Sequence, residues 1–328
     1  MNAAFRRADR SVLCVAICLL AWGGSGCLRH TTPDPPALTR IRLSTGPTGG
    51  GFYPLGEGLA RAYSKSLVNI SVVTQASTGA VANVEAVERN EADVAFTFAD
   101  VAYLAYGSGL TTASTPYTRL RGIAVLQLTP LHFVVRAGSG IKTIADLRNR
   151  RVSMGPPGTG TSLIVQLLLE AFGVPLSTVQ VDPLPFNEAA LKLNDGTLDA
   201  MFDNAIYPAE SARIATIGGG QLLPLVGSPI ERLRHEYPFF RTAVIPRNSY
   251  PGMTEVIHTI GVDSLLICRK DLDESVVYEL TKHFFEALPA LSSSLGALRF
   301  MDLDESPATP IPLHDGAARY YRERELLQ

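Results

Sequence analysis

Two hydrophobic patterns alternate along most of the chain: short β-branched runs, and longer stretches with apolar residues three and four positions apart. The first kind predicts strands and the second helices. RIRLSTGPTGGGFYPLGEGLARAYSKSL reads as a strand, a glycine-rich turn and an amphipathic helix. NISVVTQAS follows as a strand, GAVANVEAVERNEA as a helix, DVAFTFAD as a strand and DVAYLAYGSG as a helix stopped by glycine. After a loop at TTASTPYTR, the segment RLRGIAVLQLTPLHFVVRAG predicts two strands. The same grammar then repeats, with strand RVSM, turn GPPGTGTS, helix SLIVQLLLEAFG, strand STVQVDPL, helix FNEAALKLNDG and strand TLDAMFDN. Strands alternating with helices argue for a parallel sheet covered on its faces. Two such units in series argue for two lobes. VIHTIGVDSLLICRKDL adds a long apolar strand, and DESVVYELTKHFFEALPAL and IPLHDGAARYYRERELLQ add helices, so we expect the chain to return to the first lobe after completing the second.

Length fits this division. The chain has 328 residues, and single cores stop growing near ~250–300 residues. With 29 basic and 31 acidic side chains the formal net charge is -2, so no global field favours nucleic acid or an anionic membrane. The N-terminus carries Arg6, Arg7 and Arg10, then the uncharged apolar run SVLCVAICLLAWGG. That layout is an export signal, and it falls short of the ~20 apolar residues of a spanning helix. GSGC leads into Cys27, a candidate lipidation site, although Gly24 stands where a lipoprotein box usually has Leu. We therefore expect residues 1–27 to be a signal peptide with a lipobox-like end and residues 28–40, rich in Pro and Thr, to be a tether. The mature protein is expected in the periplasm or on the outer face of the cell membrane, anchored if Cys27 is acylated. Cys14 and Cys18 leave with the signal, so only Cys268 remains in the body, and it reads as a small buried hydrophobe.

The turn GPPGTGTS, Gly155 to Ser162, has the glycine spacing of a phosphate-binding loop, but Thr161 stands where the lysine belongs. ATP hydrolysis is excluded on that ground. Two readings of the residues stand. The free amides of a helix N-terminus, with Gly158, Thr159, Gly160 and Thr161, can hold a carboxylate; or Thr159 or Thr161 simply caps the helix. The first glycine-rich turn lacks a clean dinucleotide fingerprint. It offers either a second cleft wall, with Thr48, the amides of Gly49 and Gly50 and an aromatic lid at Tyr53, or only a close helix-to-sheet approach. Asp203 and Asn204 end a strand, where ligands bind in open α/β sheets, or else form a self-bonded turn. There is no G-x-S-x-G elbow and no H-E-x-x-H, and the six His residues are scattered. An enzyme, a metal site and a cofactor are not expected.

Seven segments in order resemble the TAXI-type solute receptors of tripartite ATP-independent periplasmic (TRAP) transporters: STGPTGGGFYPLGEGLA, STGAVANV, DVAFTFADVAYLAY, IKTIADLRNRRVSMGPPGTGTS, LNDGTLDAMF, YPFFRTAVIPRNSYPG and IPLHDGAARYYRE. The resemblance spans Ile41 to about Glu323. It implies an α/β, two-lobed type II periplasmic-binding-protein-like fold with hinge strands and a central cleft, with lobe I at 41–128 and 255–328 and lobe II at 129–254. It also implies a small carboxylate or amino-acid-like ligand, TRAP permease subunits as partners, and ligand contacts from Thr78, Asn83 and Asp100 beside those named above. Ala80 replaces a usual Ser, and Phe98-Ala99 replaces a usual polar pair before Asp100. We therefore expect a ligand with a less polar distal end than glutamate. A module signalling to a membrane sensor kinase is the rival reading.

Overall fold

The computed structural model describes residues 38–48, 50–110, 115–206, 208–295 and 298–327. The expected signal peptide, Cys27 and most of the tether lie outside the described residues, as does Gly49.

The first strand β1 (Thr39–Ser44) buries Ile41 and Leu43 on alternate positions, the period of a half-covered strand. α1 (Phe52–Ser66) buries Leu55, Leu59 and Tyr63, one stripe four residues apart. β2 (Ile70–Gln75), α2 (Ala80–Glu88), β3 (Val94–Phe98) and α3 (Ala99–Ser108) complete the first α/β unit. Next comes β4 (Leu120–Val135), a single strand where the sequence predicts two. Pro130, which divides the two predicted runs, sits at a register position opposite Gly261, where the chain passes from one partner strand to another.

The second unit runs through β5 (Arg151–Ser153), α4 (Gly160–Ala171), β6 (Gln180–Val181), α5 (Phe186–Asn194) and β7 (Ala200–Asn204). It is followed by α6 (Glu210–Ile217), β8 (Gln221–Leu222), α7 (Ser228–Glu236) and β9 (Arg241–Ile245). β10 (Ile257–Arg269), α8 (Glu274–Leu295) and α9 (Asp315–Glu323) close the chain. The strands form one curled mixed sheet in the order β2-β1-β3-β10-β4-β7-β5-β6, with β8 on β4 and β9 on β10.

β4 and β10 join the two units. β4 pairs with β10 from Leu120 to Pro130 and with β7 from Leu131 to Val135. β10 in turn pairs with β3 from Ser264 to Cys268 and with β9 from Ile257 to Gly261. α8 packs on α1, where the Tyr63 hydroxyl donates to the Leu280 carbonyl at 2.9 Å. In the last helix, His314 Nδ1 accepts from Gly316 N at 3.2 Å as an N-cap. Tyr320 stacks on Phe285 with ring centres 5.3 Å apart. Cys268 is fully buried, and burial pushes its thiol pKa up, as expected for a packing residue.

The two units share one structural device. Arg42 at the start of the first unit donates through N and Nε to Asp93 Oδ2 at 2.8 and 2.9 Å, and through Nη2 to Asp93 Oδ1 at 2.9 Å. Arg151 makes the same three contacts to Asp199, from N and Nε to Oδ2 at 3.1 Å each and from Nη2 to Oδ1 at 2.8 Å. Each aspartate stands immediately before the strand that follows its unit's second helix, β3 or β7. Burial opposes the charge of Asp93, but the Arg42 bonds outweigh it and hold the carboxyl below its usual range. The Arg151 bonds do the same for Asp199. The clamps make β1 equivalent to β5, and hence the first glycine-rich turn equivalent to GPPGTGTS.

Candidate functional site

Both glycine-rich turns leave the C-terminal ends of parallel strands, as do the loops after β2, β3 and β7. In GPPGTGTS, Gly155 and Gly158 both hold φ +79, a left-handed backbone that favours glycine. A side chain on Gly155 would also meet the Phe186 ring at 2.6 Å. Neither threonine caps α4. Thr159, at the N-cap position, donates instead to the Pro156 carbonyl at 2.8 Å. Thr161 Oγ1 accepts from Asn204 N at 3.2 Å, fixing the end of β7 to the start of α4. The capping reading is thereby corrected, and the first amides of α4 keep no side-chain cap.

The two units meet at this turn. Val81 N, in the first turn of α2, donates to the Gly158 carbonyl at 3.2 Å. Gly79, at φ +137, lies under the same carbonyl, and the exposed Thr78 flanks Gly158. Gly160 faces the β3–α3 junction so closely that a Cβ there would stand 2.9 Å from Phe98 Cδ2, 3.4 Å from Val101 Cγ2 and 3.7 Å from Asp100 Oδ2.

Behind that contact lies a buried polar group of four side chains. Asp100, Gln127, Thr129 and Asn204 are each no more than 6% exposed. Gln127 Oε1, Thr129 Oγ1, and Asn204 Oδ1 and Nδ2 have no hydrogen-bond partner among the described residues, and Asp100 Oδ1 and Oδ2 meet no donor beyond the main-chain amides of Asp100 and Val101. Asp100 is in the first turn of α3, two residues past Phe98; Phe98 pairs with Ser264, and Ser264 pairs with Gln127. Thr129 lies two positions further along β4, and Leu131, two beyond that, pairs with Asn204. The elements that carry them supply the largest apolar cluster, with Ala99, Val101 and Ala102 of α3, Val125 and Leu131 of β4 and Phe202 of β7, beside Ile164, Val165 and Leu168 of α4. Each unmatched buried polar group costs ~1–3 kcal/mol, and such groups are rare in native cores. Burial raises the Asp100 carboxyl to about 7, with only the main-chain amides of Val101 and Asp100 pulling it down.

Other predicted residues have structural work. Asn83 is fully buried; its Nδ2 donates to the carbonyls of Thr45 and Phe96 at 2.5 and 2.6 Å, and its Oδ1 accepts from Ser44 Oγ at 2.6 Å. It ties the C-terminal end of β1 to β3, so its amide is already engaged inside the protein. Asp203 accepts from Ser211 Oγ at 2.5 Å, and burial raises it to about 7 despite that bond. Its carbonyl and that of Pro130 accept from His132 Nδ1 at 3.2 and 3.1 Å. Tyr250 Oη accepts from Ala209 N and donates to His132 Nε2, both at 2.7 Å, which fixes the imidazole as neutral with its proton on Nδ1. Burial lowers His132 to about 4. This network braces the strand end that presents Asn204. The first glycine-rich turn contributes little beyond the rim: Thr48 is exposed, Gly50 N is bonded to the Pro47 carbonyl at 2.8 Å, and Tyr53 is half-buried.

Gln127 and Thr129 are absent from the sequence expectation. Their signal is visible in GIAVLQLTPL, Gly122 to Leu131, where two polar residues two positions apart interrupt an otherwise apolar run. They add polar groups that the substitutions at Ala80 and Phe98-Ala99 do not account for. Ala80 and Phe98 do remove polar groups, and Phe98 packs against Phe52 with ring centres 5.0 Å apart, but the floor is supplied from β4.

Residues 43–324 match the model described as the NMT1-like family. MatC from Rhodopseudomonas palustris with bound malate is similar in fold, at 16% identity over 88% of this chain and 99% of that one, with a TM-score of 0.55. The XAC2383 protein of Xanthomonas citri bound to ATP gives 13% identity over 88% and 100% of the two chains, with a TM-score of 0.52. GshT of Streptococcus mutans, from work on glutathione import, gives 14% identity over 81% and 98%, with a TM-score of 0.51. The curled mixed α/β fold is shared with these three structures.

Proposed function

Because the chain belongs to the NMT1-like family, which it matches over residues 43–324, we propose that it is an extracytoplasmic solute receptor. It holds a small acid between two lobes and delivers it to a TRAP-type membrane permease. The observation that carries this reading is the group of partnerless buried polar atoms on Asp100, Gln127, Thr129 and Asn204, placed where the start of α4 meets the β3–α3 junction. A purely structural core would match these atoms internally. A ligand with complementary groups matches them instead, and needs no covalent step. The start of α4 offers free amides to a carboxylate, and the TAXI-like segments are those that form the walls: STGAVANV begins α2, DVAFTFADVAYLAY forms β3 and α3, and GPPGTGTS begins α4. MatC, which shares the fold, has a small acid bound. Strands β4 and β10 act as the hinge between lobes, and closure is favoured by contacts that exist only when the lobes meet.

The test is native purification of the exported protein followed by mass spectrometry of what is released on denaturation. A single small acid released near one equivalent is the expected result. Release of nothing, together with no thermal stabilisation by a panel of organic acids and amino acids, would overturn the reading.

A further inference from the structure

YPFF, Tyr237 to Phe240, belongs to a segment that the family resemblance singles out and the buried polar group leaves without a role. Tyr237 ends α7, with its N–H on the Leu233 carbonyl at 2.9 Å, and Phe240 N donates back to the Tyr237 carbonyl at 3.1 Å. Pro238 stiffens this turn. The rings of Phe239 and Phe240, with centres 4.7 Å apart and each residue 4% exposed, join the apolar cluster that also holds Val101, Ala102 and Ala105 of α3. Tyr103, on α3, meets Phe239 edge-on, with ring centres 5.5 Å apart and planes at 60°, an arrangement that aromatic pairs favour. α3 follows β3 in the first unit, whereas YPFF leads into β9 in the second. We propose that Tyr103 and Phe239 form a latch between the two units, which favours the closed arrangement through a contact that involves no ligand. This rests on the lobe closure proposed above.

Tyr103 stands about one helical turn beyond Asp100 on α3. It gives the two units a second meeting place, further along α3 than the contact of Gly160 with Val101. Tyr237 draws the same elements together: its ring centre lies 5.4 Å from that of Phe239, and its phenol pKa is raised first by burial and then by the nearby Glu236, Glu170 of α4 and Tyr103. Parts of α3, α4 and α7 thus converge on one aromatic group. Tyr103 keeps 37% of its surface exposed, so cutting it back leaves a dent open to water and not a buried cavity. Its removal takes away a contact between units and little of either unit's own core. Because a receptor binds in proportion to the fraction of it that is competent, the latch changes affinity for every ligand by one common factor. The order of preference among ligands is left to the cleft.

The test needs no ligand, because two measurements on Tyr103→Ala read the closing equilibrium from its two sides. One is the rate of disulfide formation in a Thr78→Cys, Gly158→Cys chain, where a Cβ on Gly158 would lie 3.8 Å from Thr78 Oγ1. The other is hydrogen exchange at the Val81 amide, whose bond to the Gly158 carbonyl joins the units. Loss of the aromatic pair should slow the first about two- to tenfold where the free chain is mostly open, or quicken the second by the same factor where it is mostly closed. Tyr103→Phe, which keeps the ring, should change neither. The amides of Leu265 to Cys268 in β10 should exchange as in the parent; if they quicken too, Tyr103 supports the fold and the inference falls. It falls as well if Tyr103→Ala alters neither disulfide formation nor Val81 exchange, or if Tyr103→Phe shifts them as far as alanine does. None of these outcomes bears on whether the purified chain releases a bound acid, so the receptor reading stands or falls separately.

Discussion

Asp100, Asp203 and His132 are buried groups whose ionisation differs most plainly between folded and unfolded chain, and they act in opposite directions. Burial raises both carboxyls from 3.8 to about 7, so between those values the folded chain keeps protons that the unfolded chain releases. Raising the pH through that window therefore destabilises the fold. His132 is lowered from 6.5 to about 4 by burial, against the two carbonyls that hold its Nδ1 proton. The unfolded chain takes up a proton that the folded chain refuses, so lowering the pH through that window destabilises it. Two carboxyls outweigh one imidazole. From these groups the fold should be more stable at pH 5 than at pH 8 by about 3 kcal/mol, since one proton held by only one of the two states changes stability by ~1.4 kcal/mol over each step of one in pH. In the Asp100→Asn, Asp203→Asn double variant only the histidine contribution of the three remains, so its preference should move toward pH 8 relative to wild type. Urea unfolding at the two pH values measures this, and an unchanged pH response in the variant would show that neither carboxyl is held neutral.

At the scale of elements, the start of α4 is defined by what its glycines do. Gly155 and Gly158 serve the turn itself, through positive φ. Gly160, in contrast, serves the approach of α4 to β3 and α3, with Phe98 at 2.9 Å from a would-be Cβ. Gly160→Ala should leave the unliganded protein folded, since separating the two halves relieves the clash, yet weaken ligand binding about tenfold or more. Gly155→Ala should lower the melting temperature outright, because both backbone and Phe186 oppose it. Thermal unfolding of the two variants distinguishes these roles, and equal destabilisation would refute the assignment. The alternation of strands and helices was legible because the apolar periods of 2 and 3.6 are local properties. GPPGTGTS was legible as a strand-to-helix turn for the same reason. What α4's first residues bind to was not: whether Thr161 caps its helix or accepts from Asn204 depends on a strand end more than forty residues away. Asn83 is a ligand contact only by the resemblance of STGAVANV, and a local pattern gives no sign that Ser44, Thr45 and Phe96 already surround its amide. The two polar residues of β4 were hidden by the length of the apolar run, which also concealed that Pro130 bends no strand apart.

For the whole molecule the decisive fact is that β4 and β10 are long enough to pair in both units, so the lobe closure proposed above would need only small changes in those two strands. The contacts that oppose opening include Val81 N on the Gly158 carbonyl, Gly160 on Phe98 and Val101, the Tyr103 ring edge-on to Phe239 at 5.5 Å, and the apolar cluster shared by α3 and α4. One main-chain hydrogen bond is worth ~0.5–1.5 kcal/mol net, and the partnerless polar atoms behind it disfavour the dry, closed arrangement. We therefore expect the free chain to populate a more open form that ligand draws shut. Cross-linking tests this without a known ligand. A Cβ on Gly158 would lie 3.8 Å from Thr78 Oγ1, within reach for a disulfide after Thr78→Cys and Gly158→Cys, at the cost of a side chain on a φ of +79 that also lowers the melting temperature of the reduced form. Cys268, the one cysteine among the described residues, is buried and does not compete. Oxidising the pair should lower the radius of gyration seen by small-angle X-ray scattering, and reduction should restore it. If oxidised and reduced forms scatter identically, the free chain is already closed, and capture must proceed without a lobe movement.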